Sequence, residues 1–321
     1  MPIDYKHELT RNAKGGTELM AEALESRLDP KLLERFQIVP SRVRNLDESK
    51  FKIFWAHDLP GDPESEFLRN GGYNKFDRLV FVSNWQMQHY INHYGIPWYK
   101  CNVIQNAIVP IEQHEKPDHT KCVNFIYHTT PHRGLNILVP VFAELAKKYG
   151  DKIHLDVYSS FKVYGWEERD APYKKLFDDV KQHDNMTYHG AVPNSEIREA
   201  LKKAHSFAYP SIWAETSCIA LIEAMSAGLL CIHPNYAALY ETAANWTWMY
   251  QFNEDQRDHA VQLYGMMDGA IEAFLTNDKT LLQGLQTQKS YMNRFYDWEL
   301  RAIVWDSLLR SNLQKNKVAL D

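Results

Sequence analysis

The sequence predicts an α/β protein made of two doubly wound domains, each built around a parallel sheet. Three observations predict this fold class. Short β-branched runs alternate with helical patterns along most of the chain, which is typical of parallel sheets. A polar, proline-bearing segment without periodicity, residues 110–121, interrupts this alternation, which then restarts. A chain of 321 residues is also long enough for two separate cores.

The first half of the chain predicts a domain over residues 1–109. Strands are predicted at 37–43, 52–57, 78–83 and 102–106, and helices at 18–28 and 85–94. One more strand is expected just before Gly15 and Gly16, but the segment from Met1 to Arg11 is largely polar. We therefore expect this first strand to be shortened or absent.

The second half predicts a domain over residues 110–290 and a final helical segment over 291–321. Strands are predicted at 124–127, 153–158, 187–189, 206–209 and 229–233, and helical patterns at 135–149, 173–182, 195–204, 218–227, 255–275 and 280–309. Ser195 with Glu196 is expected to cap the start of one helix, and Gly228 is expected to end another.

The composition disfavours several classes of partner. With 36 basic and 41 acidic residues the net charge is −5, which disfavours binding to the nucleic-acid backbone. No stretch reaches the roughly 18 apolar residues of a membrane span, and the N-terminus has no signal-peptide core. At most peripheral membrane contact and a cytoplasmic location are expected. The four cysteines form no C-x-x-C, which favours buried free thiols.

The segment from Tyr209 to Gly228 carries two glutamates in a strand–loop–helix unit. Glu215 lies in the loop at the carboxyl end of the strand, and Glu223 lies in the second turn of the helix. Between them, the backbone amides of three residues are expected to open the helix and bind a phosphate; these are Ser217, Cys218 and Ile219. Ionised carboxylates accept hydrogen bonds from hydroxyl groups, so this unit suits a ligand that is a diphosphate with a hydroxyl-bearing group on each side.

This segment resembles the donor site of retaining glycosyltransferases of group 1 (family 4), which have two glutamates separated by seven residues. The resemblance implies the GT-B fold, in which two Rossmann-like domains face each other and the last helix, here after Trp298, crosses back to the first domain. It also implies that Glu215 contacts hydroxyls of the donor sugar and Glu223 contacts the ribose. This chain departs from the family in its loop, which has Thr216 and Ser217 where the family often has a glycine.

Two further motifs are expected to bind the donor diphosphate. Arg133, followed by Gly134, precedes a predicted helix and resembles the second member of the family's basic pair. His128 takes the position of the first member, where the family has arginine, and we expect it to be neutral near pH 7. In the first domain, Gly15 and Gly16 precede a helix and resemble the family's glycine loop, where the backbone approaches a phosphate closely.

His57 is the candidate for the reaction centre in the first domain. It follows a predicted strand, at the position where the family commonly has a histidine near the donor sugar. A structural histidine that is hydrogen-bonded to Asp58 is the alternative. Asn84 and Asn106 resemble other cleft-facing positions of the family, and Asn106 could equally be a turn residue.

The resulting prediction is a retaining, metal-independent hexosyltransferase with His57, Arg133 and Glu215 as catalytic residues. Its donor is a nucleotide diphosphate sugar, its acceptor is a carbohydrate, lipid or protein, and no cofactor is expected. No Asp-x-Asp motif is present, and His89 and His93 have helical spacing but no third metal ligand. Two alternatives remain open: a non-catalytic nucleotide-sugar-binding module, and an epimerase or phosphorylase on the same architecture.

Overall fold

The computed structural model describes residue 3 and residues 15–318, with side chains described as far as residue 314. The chain divides into two compact units. The first comprises Met1–Val109 together with Phe295–Asp321, and the second comprises Pro110–Arg294.

The first unit is built around a four-stranded parallel sheet in the order β1-β2-β3-β4. Its elements before residue 110 are α1 (Gly16–Glu25), α2 (Pro30–Leu33), β1 (Phe36–Pro40), β2 (Phe51–Ala56), β3 (Arg78–Phe81), α3 (Asn84–Tyr94) and β4 (Cys101–Val103), with 3₁₀ turns over Pro63–Lys75 and Trp98–Lys100. Phe54 and Phe81 of the sheet pack against Tyr90 of α3 in the core. The predicted first strand falls largely outside the described residues, although Ile3 forms a parallel bridge with Ile38.

The second unit is built around a six-stranded parallel sheet. Its elements are β5 (Val123–Tyr127), α4 (Leu135–Tyr149), β6 (Ile153–Val157), α5 (Lys174–Gln182), β7 (Met186–Tyr188), α6 (Asn194–Lys203), β8 (Ser206–Ala208), α7 (Ile219–Ser226), β9 (Leu230–Pro234), α8 (Leu239–Ala243), β10 (Trp248–Tyr250), α9 (Gln256–Leu275) and α10 (Lys279–Phe295). The strand order is β10-β9-β8-β5-β6-β7. The order therefore reverses between β5 and β8, which is the doubly wound Rossmann order with its switch point at these two strands.

The last helix, α11 (Trp298–Val318), belongs to the first unit. Its Trp305 packs edge-on against Trp55 of β2, with the ring centroids 4.9 Å apart. The single helical pattern predicted over 280–309 was wrong, because α10 and α11 are separated at Tyr296 and Asp297. The backbone of these two residues pairs with Ile108: the Ile108 amide donates to the Tyr296 carbonyl over 2.8 Å.

Three other details can be compared with the sequence prediction: two differ from it and one is confirmed. Helix α6 begins at Asn194 after Pro193 and has no side-chain cap, so the predicted Ser195 cap was wrong. The short elements α8 and β10 were not predicted. The ending of α7 at Gly228 is confirmed, since this glycine has φ +73° directly after the helix. No helix in the described part of the chain is both long and apolar enough to cross a membrane.

Candidate functional site

The candidate site lies at the switch point of the second unit. The loop after β5, residues 128–134, and the loop after β8, residues 209–218, leave the carboxyl ends of these two neighbouring strands. Ligands of doubly wound sheets bind at such a point, because the two loops diverge there and leave a crevice. The sequence-predicted residues His128, Arg133 and Glu215 all lie in these two loops.

Glu215 is held by one side chain from each of these loop regions. Its Oε1 accepts hydrogen bonds from Nη1 of Arg133, after β5, and from the hydroxyl of Tyr209, directly after β8. The Glu215 side chain is 7% exposed and that of Arg133 is 20% exposed, so this ion pair is largely removed from water. Neither bond uses Oε2 of Glu215.

Gly134 allows the two loops to approach each other. Its φ is +117°, and a Cβ atom at this position would lie 2.0 Å from the backbone oxygen of Pro210. No side chain larger than hydrogen fits there without displacing backbone. The sequence Arg133-Gly134 therefore places the guanidinium beside the β8 loop.

Arg133 keeps its positive charge beside Glu215. Burial by itself would lower the pKa of Arg133, but the Glu215 carboxylate raises it well above its ordinary value. Burial and the same carboxylate raise the pKa of Tyr209, so its hydroxyl keeps its proton and donates it. The site thus combines the Arg133 cation and the neutral Tyr209 hydroxyl with the Glu215 side chain that accepts from both.

Glu223 lies on α7 and is held by the neighbouring helix α6. Its carboxylate accepts from Nδ2 of Asn194 at 3.2 and 3.4 Å and from Nη1 of Arg198 at 3.1 Å. Glu223 is 6% exposed, and this burial raises its pKa, although Arg198 and Asn194 oppose the shift. The two predicted carboxylates therefore have separate partners.

The amino end of α7 lies between the two glutamates in the chain. Cys218 is the N-cap and Ile219 is the first helical residue, so their amides belong to the helix terminus. Ser217 precedes the N-cap and lies in the loop, which corrects its predicted place in the opening of the helix. The Cys218 side chain is buried, so it is the backbone here that can face a ligand.

Several buried polar atoms that have no hydrogen-bond partner among the described residues follow the carboxyl ends of β5 and β6, while others lie elsewhere in the chain. We call those that follow β5 and β6 the unsatisfied cluster: His128 Nε2, Thr130 Oγ1, His132 Nδ1, Arg133 Nε and Ser159 Oγ. Buried polar atoms in native proteins nearly always have a partner in protein, water or ligand. The cluster therefore marks the place where polar ligand atoms are expected.

His128 adds no charge to this cluster. Its ring packs against Phe207 with the centroids 4.6 Å apart. Burial lowers its pKa to about 3, so the imidazole is neutral at neutral pH. In the loop between β5 and α4, Arg133 therefore supplies the fixed positive charge, while burial also lowers the pKa of His132, to about 4.

Three aromatic rings lie beside the same loop. His132 stacks on Phe161, with 5.1 Å between the centroids, and meets Trp213 edge-on at 4.9 Å. Trp213 is 44% exposed, which is unusual for so large an apolar side chain. Flat apolar surfaces of this kind suit sugar or base rings.

The remaining predicted residues belong to the first unit. Gly15 is the N-cap of α1 and Gly16 is its first residue, so their amides open a helix. His57 directly follows β2; its backbone amide donates to Ser41 Oγ over 2.8 Å, and its ring packs on Trp55. Burial lowers the pKa of His57 to about 3, so its ring is also neutral.

Sequence reasoning missed Tyr209, Asn194 and Arg198. Tyr209 directly follows β8. A polar aromatic side chain at the carboxyl end of a strand could have been predicted from the sequence as a site residue. Asn194 and Arg198 are four residues apart and so share one face of α6, but only the packing of α6 against α7 shows that this face meets Glu223. Among the described residues, no three side chains of the types His, Cys, Asp and Glu form a metal-binding group, and the four cysteines are free.

Comparisons with known proteins relate the second unit to a family. Residues 110–263 match the family described as glycosyl transferases group 1, a segment that includes Arg133, Glu215 and Glu223. Over 190 residues the chain is 26% identical to a phosphatidylinositol N-acetylglucosaminyltransferase subunit from Arabidopsis thaliana. That match covers 56% of this chain and 40% of the relative, so the chain spans about two-fifths of the length of this curated relative.

Solved structures confirm the fold. A glycosyltransferase from Rickettsia africae superposes with a TM-score of 0.65 at 16% identity, over 98% of this chain and 84% of that one. The Anabaena protein HepE in complex with UDP gives a TM-score of 0.65 at 13% identity, over 91% of this chain and 82% of that one. The predicted α/β class with two Rossmann-like domains of the GT-B type is confirmed, and the resemblance to group 1 glycosyltransferases is confirmed over residues 110–263.

Proposed function

We propose that this chain, whose second unit matches group 1 glycosyltransferases, is a retaining, metal-independent glycosyltransferase that moves a hexosyl group from a nucleoside diphosphate sugar to an acceptor hydroxyl. The observation that carries the proposal is the pairing of Arg133 with Glu215 at the switch point, beside the unsatisfied cluster. That place offers a cation for a diphosphate, a carboxylate oxygen for sugar hydroxyls and buried atoms that need polar partners. The free thiols favour the cytoplasm as its location.

The proposed donor lies along α7. Its diphosphate contacts the Arg133 guanidinium and the amides of Cys218 and Ile219, where the positive end of the helix stabilises negative charge. Its sugar hydroxyls donate to Oε2 of Glu215, the oxygen that the Arg133 and Tyr209 bonds leave unused. An ionised carboxylate offers about four lone-pair sites, so Glu223 can accept from a ribose hydroxyl while Asn194 and Arg198 keep it in place.

In the transfer step the bond between C1 of the sugar and the diphosphate oxygen breaks, and the electron pair leaves with the diphosphate. Arg133 and the helix amides stabilise this negative charge, which is the electrostatic form of catalysis. The acceptor hydroxyl attacks C1 from the face that the diphosphate leaves and gives its proton to a phosphate oxygen. The neutral His57 is proposed to hydrogen-bond the donor sugar, and Gly15 and Gly16 to offer amides to the phosphates.

The test begins with donor binding and turnover. UDP, GDP and ADP, and then their sugars, are screened by thermal shift. A ligand present at 100 times its Kd stabilises the fold by about 2.7 kcal/mol, so the preferred base stands out. With the preferred donor, nucleoside diphosphate release is followed with and without candidate acceptors and in EDTA, and the anomeric product is read by proton NMR.

The outcomes separate the possibilities. Turnover that persists in EDTA with the donor's anomeric configuration preserved supports the proposal as stated. Donor binding without release under all acceptor conditions would indicate a binding module. Activity that disappears in EDTA and returns with Mg²⁺ would contradict metal independence, and an inverted product would contradict retention.

A further inference from the structure

The second unit also contains a cavity that the candidate site does not use. Its volume is about 440 Å³, within the usual range for small-molecule sites. The side chains that define its character are six basic or imidazole groups, namely His114, Lys116, His119, His205, Lys279 and Lys289. Among the described residues no aspartate or glutamate lines it, although the whole chain carries a net charge of −5. We call it the basic cavity.

The basic cavity lies at the opposite edge of the sheet from the candidate site. His119 lies before β5, His205 immediately precedes β8, and Gly228 precedes β9. These are the amino ends of the strands, whereas Arg133 and Glu215 follow the carboxyl ends. A ligand in the basic cavity is therefore distinct from the proposed donor.

We propose that the basic cavity binds a small organic anion that carries one or two phosphate groups. The lining combines positive charge with amide donors and apolar surface, which together suit a phosphate group joined to a compact carbon skeleton. The amide donors are Gln113, Gln283 and Gln286, and the apolar surface comes mainly from Phe274, Leu282 and Leu285.

Two lysines of the cavity differ in the number of hydrogens that remain for a ligand. Lys289 Nζ donates to three carbonyl oxygens, of Ile111, Ser226 and Glu112 at 2.5, 2.6 and 3.2 Å, so it offers charge rather than a free hydrogen. Lys116 Nζ donates to two carbonyls, of Ala204 at 2.7 Å and Leu201 at 3.4 Å, which leaves one of its three hydrogens. Neither lysine pairs with a carboxylate in these contacts. Burial lowers the pKa of Lys116 to about 7 and that of Lys289 to about 8, and an anion bound beside them favours their charged forms.

His114 and Lys279 are the other available partners. Nδ1 of His114 lies 2.8 Å from the Glu112 carbonyl and so carries a proton, while its buried Nε2 has no partner among the described residues. Nε2 becomes a donor when the ring is protonated, which a bound anion favours. Lys279 is exposed and, in the described part of the chain, forms no ion pair.

Asp118 and Asp278 are next to lining residues in the chain but form hydrogen bonds outside the lining. Asp118 accepts from the amide and hydroxyl of Thr120 at 3.0 and 2.6 Å. Asp278 accepts from the amide of Thr280 at 2.8 Å at the start of α10. Both carboxylates are engaged in local turns, and neither lines the cavity.

Titration calorimetry of the full chain with inorganic pyrophosphate and with glycerol 3-phosphate tests the proposal at low salt. Lys279→Gln is the main variant, because an exposed side chain can be changed without loss of the fold. Loss of one partly exposed contact should weaken binding about fivefold, and Lys279→Glu should weaken it further. Lys175→Gln removes an exposed lysine of the same unit that does not line the cavity, and it should bind as wild type does.

Arg133→Gln separates the two sites. Binding that survives Arg133→Gln and weakens in both Lys279 variants supports the basic cavity. If wild type binds neither probe, or if binding is lost in Arg133→Gln and unchanged in both Lys279 variants, the inference is overturned. The transfer activity plays no part in either readout, so the result stands apart from the fate of the proposed function.

Discussion

The two buried glutamates of the second unit look alike in sequence but differ in how they are held. Glu215 is contacted by Arg133 and Tyr209, which follow two strands on either side of the switch point. Glu223 is contacted by Asn194 and Arg198, which both come from one neighbouring helix. The difference indicates that Glu215 holds two loops together, whereas Glu223 connects helix α7 to helix α6.

This comparison makes Glu215→Gln the most damaging change. The variant leaves the Arg133 guanidinium without its anion, and breaking a largely buried ion pair costs about 3–5 kcal/mol. We expect the free energy of unfolding, measured in urea, to fall by that amount and transfer to be lost. Glu223→Gln also removes the anion of a largely buried pair, with Arg198, but burial already raises the pKa of Glu223 and so disfavours its charged form. A neutral amide, whose oxygen still accepts from Asn194, should therefore cost less, about 1–2 kcal/mol.

The double variant Arg133→Met with Glu215→Leu serves as the control for this experiment. It removes both charges and keeps apolar volume, so it should recover most of the lost stability. Transfer should stay absent, because the proposed donor contacts are gone. A Glu215→Gln protein as stable as wild type would show that the ion pair does not hold the loops together.

Gly134→Ala tests whether the close approach of the two loops that hold Glu215 contributes to stability and to donor binding. Its Cβ would lie 2.0 Å from the Pro210 oxygen, at a φ of +117°. We expect the free energy of unfolding to fall by about 2–3 kcal/mol and the thermal shift by the nucleoside diphosphate to become smaller. Gly190→Ala is the matched control: its φ is +70°, but its Cβ would meet only the Tyr188 ring at 3.8 Å, so it should cost about 1 kcal/mol. Equal losses in the two variants would contradict the importance of this approach.

Tyr209→Phe isolates the second bond to Glu215. Removing a hydroxyl that donates to a carboxylate should cost about 1.5–3 kcal/mol. Tyr250→Phe is the comparison, because the Tyr250 hydroxyl lies 2.8 Å from Nε2 of the neutral partner His259, and it should cost about 1 kcal/mol. Both values come from urea unfolding. A smaller loss at Tyr209 than at Tyr250 would show that this hydroxyl adds little to Glu215.

The sequence predicted the fold and the residue types in the candidate site, but it did not predict which side chains contact each other. Alternating strands and helices located nine of the ten strands because buried parallel strands are short apolar runs with distinct ends. The polar segment at 110–121 begins where the second unit begins, at Pro110. The strand β10 and the helix α8 were missed, and for α8 the reason is that five residues are too few to show a helical period.

The partners of the glutamates could not be read from the sequence for a different reason. Arg133 and Glu215 are 82 positions apart, and only the pairing of β5 with β8 brings their loops together. Arg133 was assigned to phosphate and Glu215 to sugar, with no expectation that they contact each other. Likewise, the tyrosine and helix α6 contacts depend on tertiary packing, which a local pattern does not encode.

The pH dependence of stability gives the smallest and most specific test of the comparison. Burial raises the pKa of Glu223 above its ordinary 4.5, so in this interval the folded state binds more protons than the unfolded state. The free energy of unfolding of wild type should therefore fall as pH rises from about 4.5 through the raised pKa, by at most about 1.4 kcal/mol per pH unit. Glu223→Gln lacks this contribution.

His128, whose pKa is lowered to about 3, acts with the opposite sign. The free energy of unfolding of wild type should fall as pH falls below 6.5, because the unfolded state then binds a proton that the buried imidazole does not, and His128→Gln should remove that fall. Urea unfolding from pH 4 to 8 gives both difference curves. A flat difference between wild type and Glu223→Gln would mean that Arg198 and Asn194 fully compensate for burial, and that the two glutamates are held alike after all.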